Sequence, residues 1–390
     1  MDNYSAWNVP QHSPDIFKTL PPREQLEYLC ALAHLAPSTH NTQPWRFKIS
    51  VETHIIELYL DRNTVLPASD VVGRQSVVSC GTALAHLKLA SEYYGFKAEV
   101  ATASIDPASV KPLPVSSLPS PNLSREERRS FPSPRGRGTQ GEGSPLAIIA
   151  LTPATPNLNK EKLITSIWKR KMMRAEFKPD QLIPTEVISE LKQWTDNDVT
   201  KLHIITDPVR RLSIAEFQAQ ADGFVINSTK FSRELGDWLL PNDTNSPVGM
   251  PGIGFGLQDE EAKRLHAGLS GEKALEAEDG LRFALGGKMG LEKSPLIGFI
   301  TTKDDTPESW LAAGEAFEKM NLTLVAAGLS VAMHAGITEV PLIKKIFSVS
   351  LGTLRPITVL FRAGYLKNEH DANRPHSPRL PLSAVILKDK

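Results

Sequence analysis

Two stretches of this 390-residue sequence carry residue types at spacings suited to holding a ligand. The first runs Ala36-Pro37-Ser38-Thr39-His40-Asn41-Thr42-Gln43-Pro44-Trp45-Arg46-Phe47. Pro37 closes an apolar helix, Ser38, Thr39 and Asn41 place polar groups on a loop, and Trp45 and Phe47 return the chain to a core. A polar, sterically defined loop between two buried elements can cradle a planar polar ligand. The second is Trp168-Lys169-Arg170-Lys171-Met172-Met173-Arg174, at the end of a short helix. Arginines four apart can converge on one phosphate with charge-assisted, bidentate contacts. Taken alone, a solvated basic face has the same spacing.

Other chemistries lack their residues. No Gly-x-Gly-x-x-Gly follows a strand and no Walker-type Gly-Lys-Ser/Thr occurs, so dinucleotide-fold and P-loop arguments have no footing. A Gly-x-Ser-x-Gly elbow is missing. His34, His40, His54 and His86 are scattered, and neither zinc spacing nor Glu-x-x-His pairs for a dimetal site occur. Lysine plus arginine and aspartate plus glutamate number 44 each, so there is no global nucleic-acid footprint. The two cysteines, Cys30 and Cys80, lie in apolar helical patterns and read as reduced core residues. No apolar run is long enough to span a bilayer and Met1 to Gln11 contains no apolar leader core, so a cytoplasmic protein is expected, without membrane or nucleic-acid partners.

The elements that must position these stretches follow from periodicity. Helices are expected over Arg23–Leu35, from Ser79 to Gly95, over Lys160–Lys171, Pro184–Trp194, Val209–Ile226 and Thr229–Leu240, and over Glu308–Ala327, the longest. Strands are expected at Arg46–Ile49, Ile55–Leu60, Phe96–Ala101, Leu146–Leu151, Lys201–Thr206, Leu296–Thr301 and Ile357–Phe361, with Leu382–Leu387 adding an edge strand elsewhere. Residues 107–145 are rich in proline and serine with no apolar period and read as a mobile surface loop. Its Arg-Gly pieces lack interleaved aromatics, against RNA binding. Asp61–Arg74 and the Gly/Pro-rich Pro241–Leu257, with Met250 and Phe255, are candidate covers. Thr82–Gly95 and Ala312–Gly328 are both Ala-rich helices closed by glycine ahead of a strand, the order of an internal duplication. Two unrelated α+β domains would give the same coarse order.

The 36–47 loop resembles the flavin-binding loop of the nitroreductase superfamily, whose members hold FMN at a dimer interface. The 168–177 stretch followed by Leu182-Ile183-Pro184 resembles that family's phosphate signature, with Arg170 and Arg174 matching its arginines and Met172 taking a hydroxyl position. Such a loss is worth ~1–2 kcal/mol of FMN binding unless water or a backbone N–H replaces it. Gly328-Leu329-Ser330-Val331-Ala332-Met333-His334-Ala335-Gly336 is similar to the segment whose backbone N–H faces flavin N5, which implies that Ala335 and Gly336 tune the ring and His334 lies beside it. Ser377-Pro378-Arg379-Leu380-Pro381-Leu382 resembles the family's Arg-x-Pro-Leu close, making Arg379 a third phosphate candidate, with Ser377 where a lysine is common. Arg362 reads equally as a basic contact or a surface residue. The loop occurs once, in the first half, and the arginine signature once, in the second. This resembles the Acg-like branch, a fused pseudo-dimer with one complete site.

The resemblance implies an α+β, nitroreductase-like fold of two related halves, each a mixed or antiparallel sheet flanked by helices, packed as an intrachain pseudo-dimer. Residues 15–106 with 146–155 would form the first half and 156–390 the second with its C-terminal extension. It implies FMN as cofactor, bound by Pro37, Ser38, Thr39, Asn41, Gln43, Arg170, Met172, Arg174, His334, Ala335, Gly336 and Arg379. NAD(P)H would be the transient donor and a nitroaromatic, quinone or similar small molecule the acceptor, in a ping-pong reaction needing no acid–base residue. A tight cover would instead make a flavin-sequestering protein with little turnover. The fused halves supply the dimer interface internally, and further homo-oligomers remain open.

Overall fold

The computed structural model describes residues 3–102, 104–113, 143–195 and 197–388. Most of the stretch read as a mobile loop, residues 114–142, lies outside them. Its start is anchored: Pro107–Val110 forms a 3-10 turn and Val110 is buried in the core.

Among the described residues, ten strands form two four-stranded sheets and one short pair. In the first half β1 Trp45–Ser50, β2 Ile55–Leu60, β3 Phe96–Ala101 and β4 Ala147–Pro153 are ordered β1-β2-β4-β3. In the second half β5 Thr200–Ile205, β8 Leu296–Thr302, β9 Ser330–Met333 and β10 Ile357–Gly364 are ordered β5-β8-β10-β9. Every pairing in both sheets is antiparallel, which resolves the expected mixed or antiparallel choice. Between β5 and β8 in sequence, the two-residue strands β6 Leu239–Leu240 and β7 Met250–Pro251 pair in parallel. Strand β1 alternates, burying Trp45, Phe47 and Ile49, as a half-buried strand should. Strands β8 and β10 are buried at every position, including Thr301, Thr302, Thr358 and Arg362.

The halves meet on two long helices, Arg74–Tyr94 and Pro307–Ala326. The first starts five residues earlier than the periodicity suggests and, at 21 residues, is the longer. Buried Asp70 takes the place of an N-cap, accepting from the backbone N–H groups of Gln75 and Ser76 at 2.9 Å each. The helices cross at facing glycines. A Cβ on Gly81 would stand 2.2 Å from the Leu311 carbonyl oxygen, and one on Gly314 2.0 Å from that of Val78. One continuous core draws residues from both halves, with Leu84 and Leu87 in the same cluster as Phe317 and Phe361. The fold is thus α+β, with two similar regions joined as an intrachain pseudo-dimer. Helices Asp259–Leu269 and Ala277–Glu292 are not signalled by periodicity. The second contains Gly280, Gly286, Gly287 and Gly290, whose low helix propensity masks the pattern.

The C-terminal tail crosses to the first half. Ile386 makes a parallel bridge to Phe47, the Phe47 N–H donates to the Val385 carbonyl at 2.8 Å, and the Leu387 N–H donates to the Phe47 carbonyl at 2.7 Å. The open edge of β1 is thereby covered. Val385 is fully buried beneath this joint. Val385→Asp should cost about 3 kcal/mol by burying an unpaired carboxylate. A thermal melt reads this directly, and an unchanged midpoint would show that the tail is not integral.

Candidate functional site

His34 ends the Pro22–His34 helix and anchors the loop beyond it. The Trp45 indole N–H donates to its Nδ1 at 2.9 Å, and its Nε2–H donates to the Leu380 carbonyl at 2.8 Å. Burial pulls this imidazole down to about 3, so it stays neutral and holds loop, helix and tail together. Between helix and β1 the chain turns sharply: His40, Asn41 and Gln43 have φ of 43°, 55° and 52°. Three non-glycine residues in the left-handed region within four positions is stored strain of the kind functional loops hold.

That turn sends Asn41 inward toward the second half. Its amide donates to the carbonyls of Gly249 at 3.0 Å and Pro378 at 2.8 Å, and its Oδ1 accepts from the Arg379 guanidinium. Arg379 also donates through Nη2 to Ala36 at 2.9 Å and Leu35 at 3.3 Å. Arg170, released by the end of the Glu161–Lys169 helix, donates through Nη2 to the same Leu35 carbonyl at 2.5 Å. Both guanidiniums lie over the Trp7 ring, at 5.7 Å for Arg170 and 5.1 Å for Arg379. Trp7 stacks on His376 at 3.9 Å. Both arginines are 3% exposed, and neither Nε has a hydrogen-bond partner. Two buried cations with unspent donors on one spot form a site for an anion.

The other expected residues have partners of their own, and Met172 alone of them lines the same cavity as Arg170. Pro37 gives its carbonyl to the Thr82 hydroxyl at 2.7 Å, and the Ser38 hydroxyl oxygen accepts from the Gln43 N–H at 3.0 Å. Thr39 donates through its hydroxyl to Gln75 Oε1 at 2.7 Å, and Gln75 donates to Glu339 at 3.0 Å. Gln43 donates to the Pro247 carbonyl at 2.8 Å and accepts from the Leu380 N–H at 2.9 Å. Met172 bridges to Val331 beside the arginine pair. Arg174 makes its contacts elsewhere, lying 4.3 Å over the Phe255 ring. Arg362 is no surface residue: it is buried against Phe177, with Nε donating to His334 Nε2 at 3.1 Å and Nη2 to the Ala175 carbonyl at 2.9 Å. His334 is therefore an acceptor at Nε2, and burial beside Arg362 holds it well below its ordinary range. Ala335 caps a short helix starting at Gly336, where a Cβ would meet Asp222 Oδ1 and Gln218 Nε2, each at 2.7 Å.

A cavity of about 30 Å³ opens at the anion end, lined by Trp7, Arg170, Lys171, Met172, Arg374 and His376. It holds about one water. Trp7 belongs to the N-terminal segment, and Gly254 of the 241–257 loop also lines the cavity. The Arg379 N–H donates to the Asn3 carbonyl at 2.8 Å, Trp7 Nε1 donates to Ser377 at 2.9 Å, and Asn41 and Gln43 hold the loop through Gly249 and Pro247. The other candidate cover, Asp61–Arg74, is tied down where the Glu234 carboxylate accepts from the N–H groups of Ala68 and Ser69 at 2.6 and 2.8 Å. Trp7, His376, Arg374, Gln218 and Asp222 carry no mark in the sequence. Trp7 stands in a polar segment without period, and Gln218 and Asp222 follow ordinary helical spacing.

Two half-buried acids border this region. Burial pushes Asp222 up to about 7 against Gln218 and Arg174, and Glu339 up to about 7 against Gln75 and Arg74, with Asp222 and Glu234 adding to the rise. Each keeps a proton in the folded chain where the unfolded carboxyl has lost it. Their contribution to stability is complete below about pH 4 and fades as pH climbs to about 7. Asp222→Asn with Glu339→Gln should stabilise the fold relative to wild type more at pH 8 than at pH 5, by roughly 2 kcal/mol for each group, read by chemical denaturation at the two pH values. Equal shifts at both pH values would refute the assignment.

Among the described residues no group of three or more His, Cys, Asp or Glu is placed to hold a metal ion, and no helix is long and apolar enough to cross a membrane. Cys30 and Cys80 are buried and free.

Residues 18–98 match the model of the Nitroreductase family. That stretch spans the Pro22–His34 helix, the strained loop, the first hairpin and the whole Arg74–Tyr94 helix. The chain is also similar to "Putative NAD(P)H nitroreductase acg" of Mycobacterium tuberculosis, 25% identical over 358 residues, covering 91% of this chain and 93% of that one. A second relative in that organism, "Putative NAD(P)H nitroreductase Rv3131", is 26% identical over 190 residues, covering 45% of this chain and 52% of its own. Among solved structures, the FMN-dependent nitroreductase NfnB of Mycobacterium smegmatis in complex with NADPH aligns over 60% of this chain and all of its own, at 18% identity and a TM-score of 0.39. The two-sheet α+β arrangement is nitroreductase-like.

Proposed function

We propose that this protein is an FMN-dependent oxidoreductase that passes electrons from NAD(P)H to a nitroaromatic, quinone or similar small acceptor by a ping-pong mechanism. The observation carrying this reading is the meeting of Asn41, from the first half, with Arg170 and Arg379, from the second, at one buried point with unspent N–H donors. The donor set fits a phosphate: two fixed guanidiniums, with Lys171 and Arg374 at the mouth and the Trp7–His376 stack as a wall. FMN, when bound, supplies the hydride and electron chemistry.

The chain's own residues bind and orient. Arg170 and Arg379 hold the phosphate end, and Asn41 fixes Arg379 against the loop. Pro37, Ser38, Thr39 and Gln43 shape the wall leading from it, while Met172, His334, Ala335 and Gly336 lie along the second half's side. Arg174, against Phe255, is assigned to the cover side of the site. NAD(P)H and acceptor would reach the ring in turn once the 241–257 loop moves aside.

The cover favours a second reading, a flavin-sequestering protein with little turnover. A cavity of about 30 Å³, walled in part by Gly254 of the loop that is hydrogen-bonded to Asn41 and Gln43, has room for about one water. Steady-state oxidation of NADPH and NADH by the FMN-loaded protein, with and without menadione or a nitrofuran, separates the two. Acceptor-dependent turnover supports the reductase. Flavin retained at full occupancy with no turnover of either nucleotide overturns it in favour of sequestration.

A further inference from the structure

We propose that Gln75 is a positioning residue of this site: its side-chain amide ties the first half's 37–43 loop to the second half's short Gly336–Glu339 helix and so fixes the spacing of the two walls. The inference rests on the reading that these two segments face a flavin.

Gln75 lies in the first turn of the Arg74–Tyr94 helix, buried, and it uses both ends of its amide across the seam. On one side Oε1 accepts from the Thr39 hydroxyl at 2.7 Å. On the other Nε2 donates to Glu339 Oε1 at 3.0 Å, and to the Ser69 carbonyl at 3.1 Å. An amide carries its acceptor and its donors on one rigid plane, so the bridge has a single orientation, oxygen toward the loop and nitrogen toward the second half. Its base does not move either, because Asp70 accepts from the Gln75 backbone N–H at 2.9 Å.

Neighbours on the same helix reinforce each end. One turn on, Ser79 Oγ accepts from the Thr39 N–H at 3.1 Å and donates to the Gln75 carbonyl at 2.8 Å. One residue back, Arg74 donates through Nη2 to the Thr338 carbonyl at 2.6 Å. Consecutive residues of the long helix thus hold consecutive residues of the short one. The short helix passes this on. The N–H groups of Thr338 and Glu339 donate to the Ala335 carbonyl at 2.8 and 3.0 Å, and the Thr338 hydroxyl donates to it at 2.8 Å. What fixes Thr338 and Glu339 therefore fixes Ala335.

The loop needs such a hold. His40, Asn41 and Gln43 stand in the left-handed region, and strained backbone persists only where its surroundings over-determine it. Arg379 grips the loop at Asn41 from the phosphate end, and Gln75 grips it at Thr39 from the other.

Three variants of the full-length protein test the link. Gln75→Met keeps the length of the side chain and removes both polar ends. Glu339→Ala takes away one partner, and Glu339→Gln puts an acceptor oxygen back. Hydrogen–deuterium exchange without ligand follows the Asn41 and Thr42 amides, bonded to the Ser38 and Thr39 carbonyls, and those of Thr338, Glu339 and Val340. Gln75→Met should speed both groups at least fivefold while amides in the middle of the Arg74–Tyr94 helix keep wild-type rates. Glu339→Ala should speed the second group, and Glu339→Gln should return it to wild type. Gln75→Met should also weaken FMN and riboflavin alike, at least tenfold each, with their affinity ratio within twofold of wild type, because the phosphate end is untouched. Wild-type protein that takes up neither flavin refutes the flavin reading alone, and the exchange pattern then decides for or against Gln75 by itself. Wild-type exchange at the loop or at the short helix in Gln75→Met overturns the positioning role. So does uniform acceleration along the long helix, which marks plain loss of stability, or a Glu339→Gln protein that exchanges as fast as Glu339→Ala.

Discussion

Replacing both Arg170 and Arg379 with glutamine should weaken FMN binding at least a hundredfold and change riboflavin binding by less than fivefold. The two guanidiniums are the buried donors with free Nε–H groups at the proposed phosphate end. A hydrogen bond to a charged group contributes about 1.5–3 kcal/mol, so losing two gives roughly 10²- to 10⁴-fold. Fluorescence quenching titrations with each flavin measure the split. Arg174→Ala should have the smaller effect, because its guanidinium lies over Phe255 and does not join the pair on Leu35. Undiminished FMN affinity in the double variant would remove these arginines from the site.

Gly314→Val should lower stability by about 3 kcal/mol or more, and carry flavin binding down with it. The two seam helices approach so closely that a Cβ at position 314 falls 2.0 Å from a carbonyl oxygen and 2.8 Å from its carbon, both backbone atoms that no rotamer change relieves. The helices must separate to admit it. Separation pulls Glu318 from His86 and Arg170 from Leu35, since those contacts span the same seam. Chemical denaturation with and without FMN reads both effects. A variant of native stability would mean that the halves are not held together at this crossing.

Most of the framework is legible in the sequence because it rests on local rules. The alternation of Trp45, Phe47 and Ile49 marks β1, and the apolar residues Leu296, Ile297, Phe299 and Ile300 of β8 and Val359, Leu360 and Phe361 of β10 mark buried strands. Gly95 and Gly328, at φ of 92° and 77°, end their helices where glycine is expected to. The start of the Arg74–Tyr94 helix is hidden because its cap is Asp70, four residues before Arg74 and reached through a turn. At the site, Asn41, Arg170 and Arg379 stand out by residue type. Trp7 does not, since its role depends on a partner 370 residues away in the chain, Ser377. Spacing alone groups Arg174 with Arg170. After the helix ends at Lys169 the chain is extended at Arg170, so helical spacing no longer brings the two side chains together.

The most direct test is the flavin content of the protein as first purified. Heat-released flavin, identified by chromatography and counted against polypeptide, should be FMN at one per chain, as two halves building a single site require. Two per chain would contradict the single shared site. A colourless protein that gains no flavin absorbance on reconstitution would contradict the account as a whole.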